Sequence, residues 1–240
     1  MGSHNGYLCP SIIWMKITYH GHATISVAFS GLSILIDPFI TGNPLIENKD
    51  LSAFTPDYIL VTHGHGDHVA DVEAIAKASG AKIISNYEIV AWFGSKDLEG
   101  HPLNHGGTVD LGAVKVKYVN AIHSSVLPDG TYGGNPGGFV IWNQEKCLYV
   151  SGDTALTMDM QLIPMTGPTP DVAVLCIGDN FTMGYEDAII ASDFIKCPKV
   201  IGCHYDTFGY IEIDKEKAIA AFSAKSKELI LLDIGQEIEV

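Results

Sequence analysis

Arginine is missing from this chain: all 14 basic residues are lysines, and they face 28 acids for a formal charge of −14 over 240 residues. Phosphate backbones are recognised by basic patches and by the forked guanidinium, so nucleic acid is not an expected partner, and an anionic membrane surface is disfavoured for the same reason. Cysteine is scarce. The five thiols, Cys9, Cys147, Cys176, Cys197 and Cys203, are an odd set with no Cys-x-x-Cys spacing. They read as reduced packing residues in a cytoplasmic protein rather than as a disulfide framework. No apolar run approaches the roughly 18–20 residues that a membrane span requires. Charged residues make up only 18% against 47% apolar, which excludes global disorder and supplies a large core.

What is present reads as one layered α/β domain over residues 15–240. Residues 1–14 open with Met-Gly-Ser-His and read as vector-derived or extended sequence ahead of Met15; their apolar stretch 7–14 is too short for a signal-peptide core. Strand-like runs at 16–19, 24–29 and 33–36 are parted by glycine turns. A strand at 58–61 then enters a histidine-rich turn and a helix, in which Val69, Val72, Ile75 and Ala76 fall at helical spacing and Gly80 closes the end. The alternation continues with strands at 82–85, 114–119, 138–142, 147–150, 172–177 and 200–203 and helices at 87–93, 186–195 and 215–222. Residues 129–138 read as a long loop, and a final hairpin is expected around Gly235. Mixed sheets with helices outside them make a layered sandwich.

The segment Thr62-His63-Gly64-His65-Gly66-Asp67-His68 stands where a buried strand gives way to a helix. His63 and His65, two apart in extended chain, turn their imidazoles to one side. Gly64 and Gly66 are expected to let the chain fold tightly, so that Asp67 and His68 face the same pocket. Two nitrogen donors on one arm, with a carboxylate and a nitrogen on the other, can serve two metal ions. The bland reading makes Asp67 a helix cap and the histidines loop residues, which accounts for one residue of the four. Further donors follow predicted strands: His123, Asp153 within Ser151-Gly152-Asp153-Thr154, and His204. Strand ends at one sheet edge are where α/β active sites assemble. Taken singly, His123 and His204 also read as core histidines and Asp153 as a turn residue.

Together the pattern His-x-His-x-Asp-His, a strand-end His, a Gly-Asp and a late His resembles the metallo-β-lactamase superfamily, over nearly the whole chain from Met15. The elements Tyr19-His20-Gly21-His22-Ala23-Thr24, Asp37-Pro38-Phe39, Thr41-Gly42-Asn43-Pro44, the segment 178–184 and His204-Tyr205-Asp206-Thr207 are similar to the UPF0173 group of metal-dependent hydrolases. The ascorbate-phosphate lactonases and the N-acyl phosphatidylethanolamine phospholipases are resembled more distantly. The resemblance implies a four-layer αββα sandwich with two mixed sheets and outer helices. It also implies a binuclear site: His63, His65 and His123 for the first ion, Asp67, His68 and His204 for the second, and Asp153 bridging, with Asp67 and Asp153 as the catalytic carboxylates. Many β-lactamases of the superfamily carry Cys where Asp153 stands, so antibiotic hydrolysis is not the implied activity.

The expected function is hydrolysis of a small ester, lactone or phosphorylated substrate by hydroxide held between two divalent ions, which can lower the pKa of bound water to about 7. Zinc is the default for this donor set, with manganese and iron as the alternatives that carboxylate-containing sites accept. The runner-up activities are a phosphodiesterase acting on a small lipid- or nucleotide-like molecule and a metal-binding scaffold without turnover. His20, His22, Asp37, His105, Asn180 and Tyr205 are the candidates for orienting the donors or touching substrate. A homo-oligomer is the ordinary expectation for such an enzyme.

Overall fold

Alternation of apolar and polar side chains builds two sheets, and the same alternation decides which residues meet between them. The computed structural model describes residues 15–240; the reading of 1–14, Cys9 included, lies outside the described residues. In chain order the strands are β1 (Met15–Tyr19), β2 (Ile25–Phe29), β3 (Leu32–Ile36), β4 (Tyr58–Leu60), β5 (Lys82–Ser85), β6 (Gly100–Pro102), β7 (Thr108–Asp110), β8 (Lys115–Asn120), β9 (Gly137–Trp142), β10 (Cys147–Val150), β11 (Val172–Cys176), β12 (Lys199–Cys203), β13 (Glu228–Ile230) and β14 (Glu237–Glu239). The α-helices are α1 (Gly66–Val69), α2 (Val72–Ser79), α3 (Tyr87–Gly94), α4 (Ile163–Thr166), α5 (Tyr185–Phe194) and α6 (Lys215–Ser223).

One seven-stranded sheet runs β14-β1-β2-β3-β4-β5-β6 and the other β13-β12-β11-β10-β9-β8-β7. Each is mixed. In the first, β14 through β3 pair antiparallel and β3 through β6 parallel; in the second, β7 through β10 pair antiparallel and β10 through β13 parallel. Ile34 and Ile36 of β3 turn inward into the core that also holds Tyr118, Phe139 and Val174 of the other sheet, while Leu35 between them joins the opposite, outward cluster. That outward face, with Ile59, Val61 and Ile83, is covered by Val72 and Ile75 of α2 and by Ile89 and Phe93 of α3. On the far side, β11 is buried throughout, as a strand covered on both faces should be, with Ala188 and Ala191 of α5 and Phe222 of α6 in the same core. The chain is therefore an αββα sandwich. Among the described residues no helix is long and apolar enough to cross a membrane.

Three local expectations are corrected. The helix expected to run unbroken to Gly80 is two helices: the Asp71 amide leaves the helical ladder to donate to the Pro38 carbonyl at 3.2 Å, and the Asp71 carboxylate accepts from the amides of Ile40 and Thr41 and from the Thr41 hydroxyl. The residues around Gly235 do not form a hairpin. β13 extends the second sheet beside β12, and the turn carries β14 across to the first, where Lys16 of β1 sits 2.9 Å from Glu237 and 3.3 Å from Glu239. Of the two glycines expected to let the chain fold tightly, neither has a positive φ; Gly64 lets Leu127 and Ser125 approach to 3.2–3.3 Å of where a Cβ would stand, whereas at Gly66 a Cβ would meet open space.

Candidate metal centre

The donors arrive from both sheets. From the first come His22 on the turn between β1 and β2, Asp37 just past β3, and His63, His65, Asp67 and His68 past β4; from the second come His123 past β8, Asp153 past β10 and His204 past β12. Left-handed backbone clusters here. His22 (φ 55°), Asp37 (φ 46°) and His204 (φ 56°) hold this sparsely populated conformation, and the His204 amide donates to the His22 carbonyl at 2.8 Å. Gly152, at φ 61°, precedes Asp153, where an added Cβ would stand 2.6 Å from the Gly137 carbonyl oxygen.

The side chains gather into three overlapping groups, each with its candidate ligand atoms within 4.8 Å of one another: His63, His65 and His123; His22, Asp67, His68 and His204; and His63, His68 and Asp153. His63 and His68 link the groups, and Asp153 stands between them. Its Oδ2 lies 3.9 Å from Nε2 of His63 and 3.7 Å from Nε2 of His123, and on the other side 3.3 Å from Nε2 of His68 and 3.0 Å from Nε2 of His204.

Behind the donors stands a buried scaffold. Asp37 accepts from the amide of Thr62 (2.8 Å) and from its hydroxyl (2.6 Å), and the same carboxylate lies 2.8 Å from Nδ1 of His68. Nε2 of His22 lies 3.0 Å from Asp67 Oδ2, and its Nδ1 lies 2.9 Å from the Thr207 hydroxyl. Ser125 Oγ accepts from the Gly64 amide at 3.0 Å, and Ser124 Oγ lies 3.3 Å from His65 Nε2. Burial pushes His63 well below the usual imidazole range, which leaves its ring neutral and able to donate a lone pair. Burial would raise Asp153, but His68 and His204 outweigh it and hold the carboxyl well below its usual range. Burial would likewise lower His68, yet Asp153 and Asp37 together raise it well above.

These groups fit metal ions on two counts. Among the described residues the buried atoms His68 Nε2, His204 Nδ1 and Asp153 Oδ1 have no hydrogen-bond partner, an expensive condition for polar atoms away from water. Asp37, Asp67 and Asp153 moreover have only histidines as basic neighbours within 4 Å among the described residues, so the pocket carries carboxylate charge without a lysine to offset it. Imidazole and carboxylate donors of this kind suit zinc, iron and manganese.

A family model described as the beta-lactamase superfamily domain matches residues 16–204. A UPF0173 metal-dependent hydrolase of Christiangramia forsetii is 60% identical over 227 residues, spanning 94% of this chain and all of that protein. The chain belongs to the UPF0173 family of the β-lactamase superfamily. Another member, YtkL of Bacillus subtilis, is 44% identical over 84% of this chain and 90% of its own length. Among solved structures, Igni18, a novel metallo hydrolase from Ignicoccus hospitalis, superposes with a TM-score of 0.86 at 33% identity, covering 95% of this chain and 98% of that one. An isothiocyanate hydrolase from Delia radicum gut bacteria shares the fold at a TM-score of 0.74 and 18% identity, over 93% of this chain and 98% of its own.

Not every candidate reaches this UPF0173 centre. His20 lies elsewhere, 2.7 Å from Ser26 Oγ and edge-on to Phe54. His105 stacks on Tyr118 and points Nε2 at the Pro136 carbonyl. Tyr205 is buried against Tyr19, and Asn180 is exposed; neither lines the cleft that opens on the donors. His22, expected to orient a ligand or line the pocket, stands inside the second donor group. Thr62, Thr207, Ser124, Phe181 and Phe208 were not singled out in the sequence. Thr62, Ser124 and Phe181 adjoin candidates and Thr207 and Phe208 follow Tyr205 by two and three residues, so the available signals were proximity in the chain and, for Thr62, Phe181 and Thr207, membership of a recognised motif.

Proposed function

We propose that the chain is a binuclear hydrolase of a small ester or lactone, with His63, His65 and His123 holding one divalent ion, Asp67, His68 and His204 the other, and Asp153 shared. The position of Asp153 Oδ2, 3.0–3.9 Å from imidazoles of both sets, carries this reading. Divalent ions held there supply acidified water and polarisation of a carbonyl oxygen. Zinc is the proposed occupant. The chain's own groups do the rest. Neutral His63 offers a lone pair, Asp37 and Thr62 fix the orientation of the His68 and His63 rings, and Asp153, held anionic by His68 and His204, helps to hold the attacking water in line. Asp67, partly exposed to the cleft and held by His22, orients that water. The reduced, buried Cys147, Cys176, Cys197 and Cys203 support a cytoplasmic setting.

The test is elemental analysis of protein purified without chelators, followed by turnover of p-nitrophenyl esters, lactones and bis-p-nitrophenyl phosphate. Two equivalents of metal and ester or lactone hydrolysis are expected, with at least ~100-fold loss of kcat in Asp153→Ala and in His63→Ala and native circular dichroism in both. Hydrolysis of the phosphodiester alone replaces the reading with a phosphodiesterase. Bound metal without any turnover replaces it with a scaffold.

A further inference from the structure

The cleft that opens on the donors has a volume of about 300 Å³, at the small end for a ligand site. Its floor is the His/Asp cluster with Ser124, and its walls are two aromatic rings, Phe181 and Phe208. Both rings face solvent, at 51% and 37% exposure, next to a Tyr210 that is 78% exposed. They are held there. The loop that carries Phe181 is closed by a bridge between Gly178 and Gly184, and the Met183 amide donates to the Thr154 carbonyl at 2.9 Å. Asp179 (φ 59°) and Asn180 (φ 49°) take the left-handed conformation in succession, which non-glycine residues adopt only when the surroundings impose it. Phe181 meets Tyr210 edge-on with ring centres 6.1 Å apart, and Phe208 meets His22 edge-on at 5.4 Å. An apolar surface kept exposed by fixed loops beside polar donors marks a ligand groove.

The same cleft has nothing for a remote anion. Among the described residues no lysine lines it, arginine is absent from the chain, and Lys215, whose partner Asp206 follows His204 by two residues, is engaged by that carboxylate at 3.0 Å. The geometry points to a substrate whose ester or lactone group reaches the His/Asp floor while its remainder, an uncharged acyl or aryl group, lies between Phe181 and Phe208. This rests on the hydrolase reading above. In the reaction water adds to the acyl carbon, the bond from that carbon to the leaving oxygen breaks, and a carboxylic acid and an alcohol result.

Three hydroxamates share one chelating head and differ only in the tail: acetohydroxamate, hexanohydroxamate and adipic monohydroxamate. Calorimetric titration into the metal-loaded protein should show the six-carbon apolar tail binding about 10-fold tighter than acetyl, and the carboxylate-ended tail of equal length about 10-fold weaker than the apolar one. In Phe181→Ala/Phe208→Ala the ratio of hexano to aceto affinity should fall towards one, with partial recovery in Phe181→Leu/Phe208→Leu. Equal affinity for all tails, or preference for the carboxylate, overturns the inference. p-Nitrophenyl acetate and hexanoate complete the test. Turnover without tail dependence removes the aromatic cleft alone, tail-dependent binding without turnover removes the hydrolase reading alone, and no binding by any hydroxamate removes both.

Discussion

His22 joins two distant segments through one ring. Burial lowers it to about 4, so near neutral pH it carries a single ring proton; because the Asp67 carboxylate can only accept, that proton sits on Nε2 and Nδ1 accepts from Thr207. His22→Ala should therefore weaken metal binding at the Asp67/His68/His204 group by 10- to 100-fold, on the order of what outer hydrogen bonds contribute, with His22→Gln intermediate. Competition against a chromophoric chelator reads this directly, and unaltered affinity would show that Asp67 holds its place without the ring. The glycines make a contrasting pair. An added Cβ at Gly66 meets open space, so Gly66→Ala at the head of α1 should change stability by no more than about 0.5 kcal/mol, in either direction. At Gly178 the same atom would lie 2.0 Å from the His204 carbonyl oxygen, and Gly178→Ala should cost about 3 kcal/mol or more in urea unfolding.

Outside the first sheet, α2 and α3 are tied by Glu73, which holds Lys77 at 2.7 Å and Lys96 at 2.8 Å while Lys96 lies 3.5 Å from the centre of the Trp92 ring. The Lys77 and Lys96 hydrogen bonds lower the Glu73 carboxyl from 4.5 to about 2. A lowered carboxyl stabilises above its unfolded value and loses that contribution as pH falls towards its folded one. Glu73→Gln should accordingly cost roughly 0.5 kcal/mol at pH 7, a small figure because the cluster is solvent-screened, and the two urea midpoints should converge between pH 4.5 and about 2. A difference that stays constant across that range would remove the charge-based account. The elements themselves were unequally legible. Strands β9 to β12 announce themselves as apolar runs and β8 by its alternation, and because His123, Asp153 and His204 follow β8, β10 and β12 within three residues, those donors could be read from the chain. β6 is three exposed residues, Gly-His-Pro, at a sheet edge, with no alternation to detect. The loop of Phe181 is held by the bond from Met183 to Thr154, a contact made only after folding, so the sequence marked the segment 178–184 without showing that its ring would wall the cleft.

Across the whole molecule, carboxylates and unpartnered ring nitrogens meet where the two sheets come together. Ions bound there favour the folded state by mass action, by about 2.7 kcal/mol per site when free metal exceeds its dissociation constant 100-fold. Chelation should lower the urea midpoint correspondingly, and stoichiometric zinc should restore it. A midpoint indifferent to both treatments would mean that the cluster tolerates its own charge. The donors come from two halves of the chain that are made at different times. Those of the first sheet leave the ribosome well before His204, which stands past β12 and late in the chain. A nascent polypeptide thus displays most of the imidazoles while it still lacks the final one, and on the proposed assignment hydrolysis cannot begin until His204 has been made and folded into place.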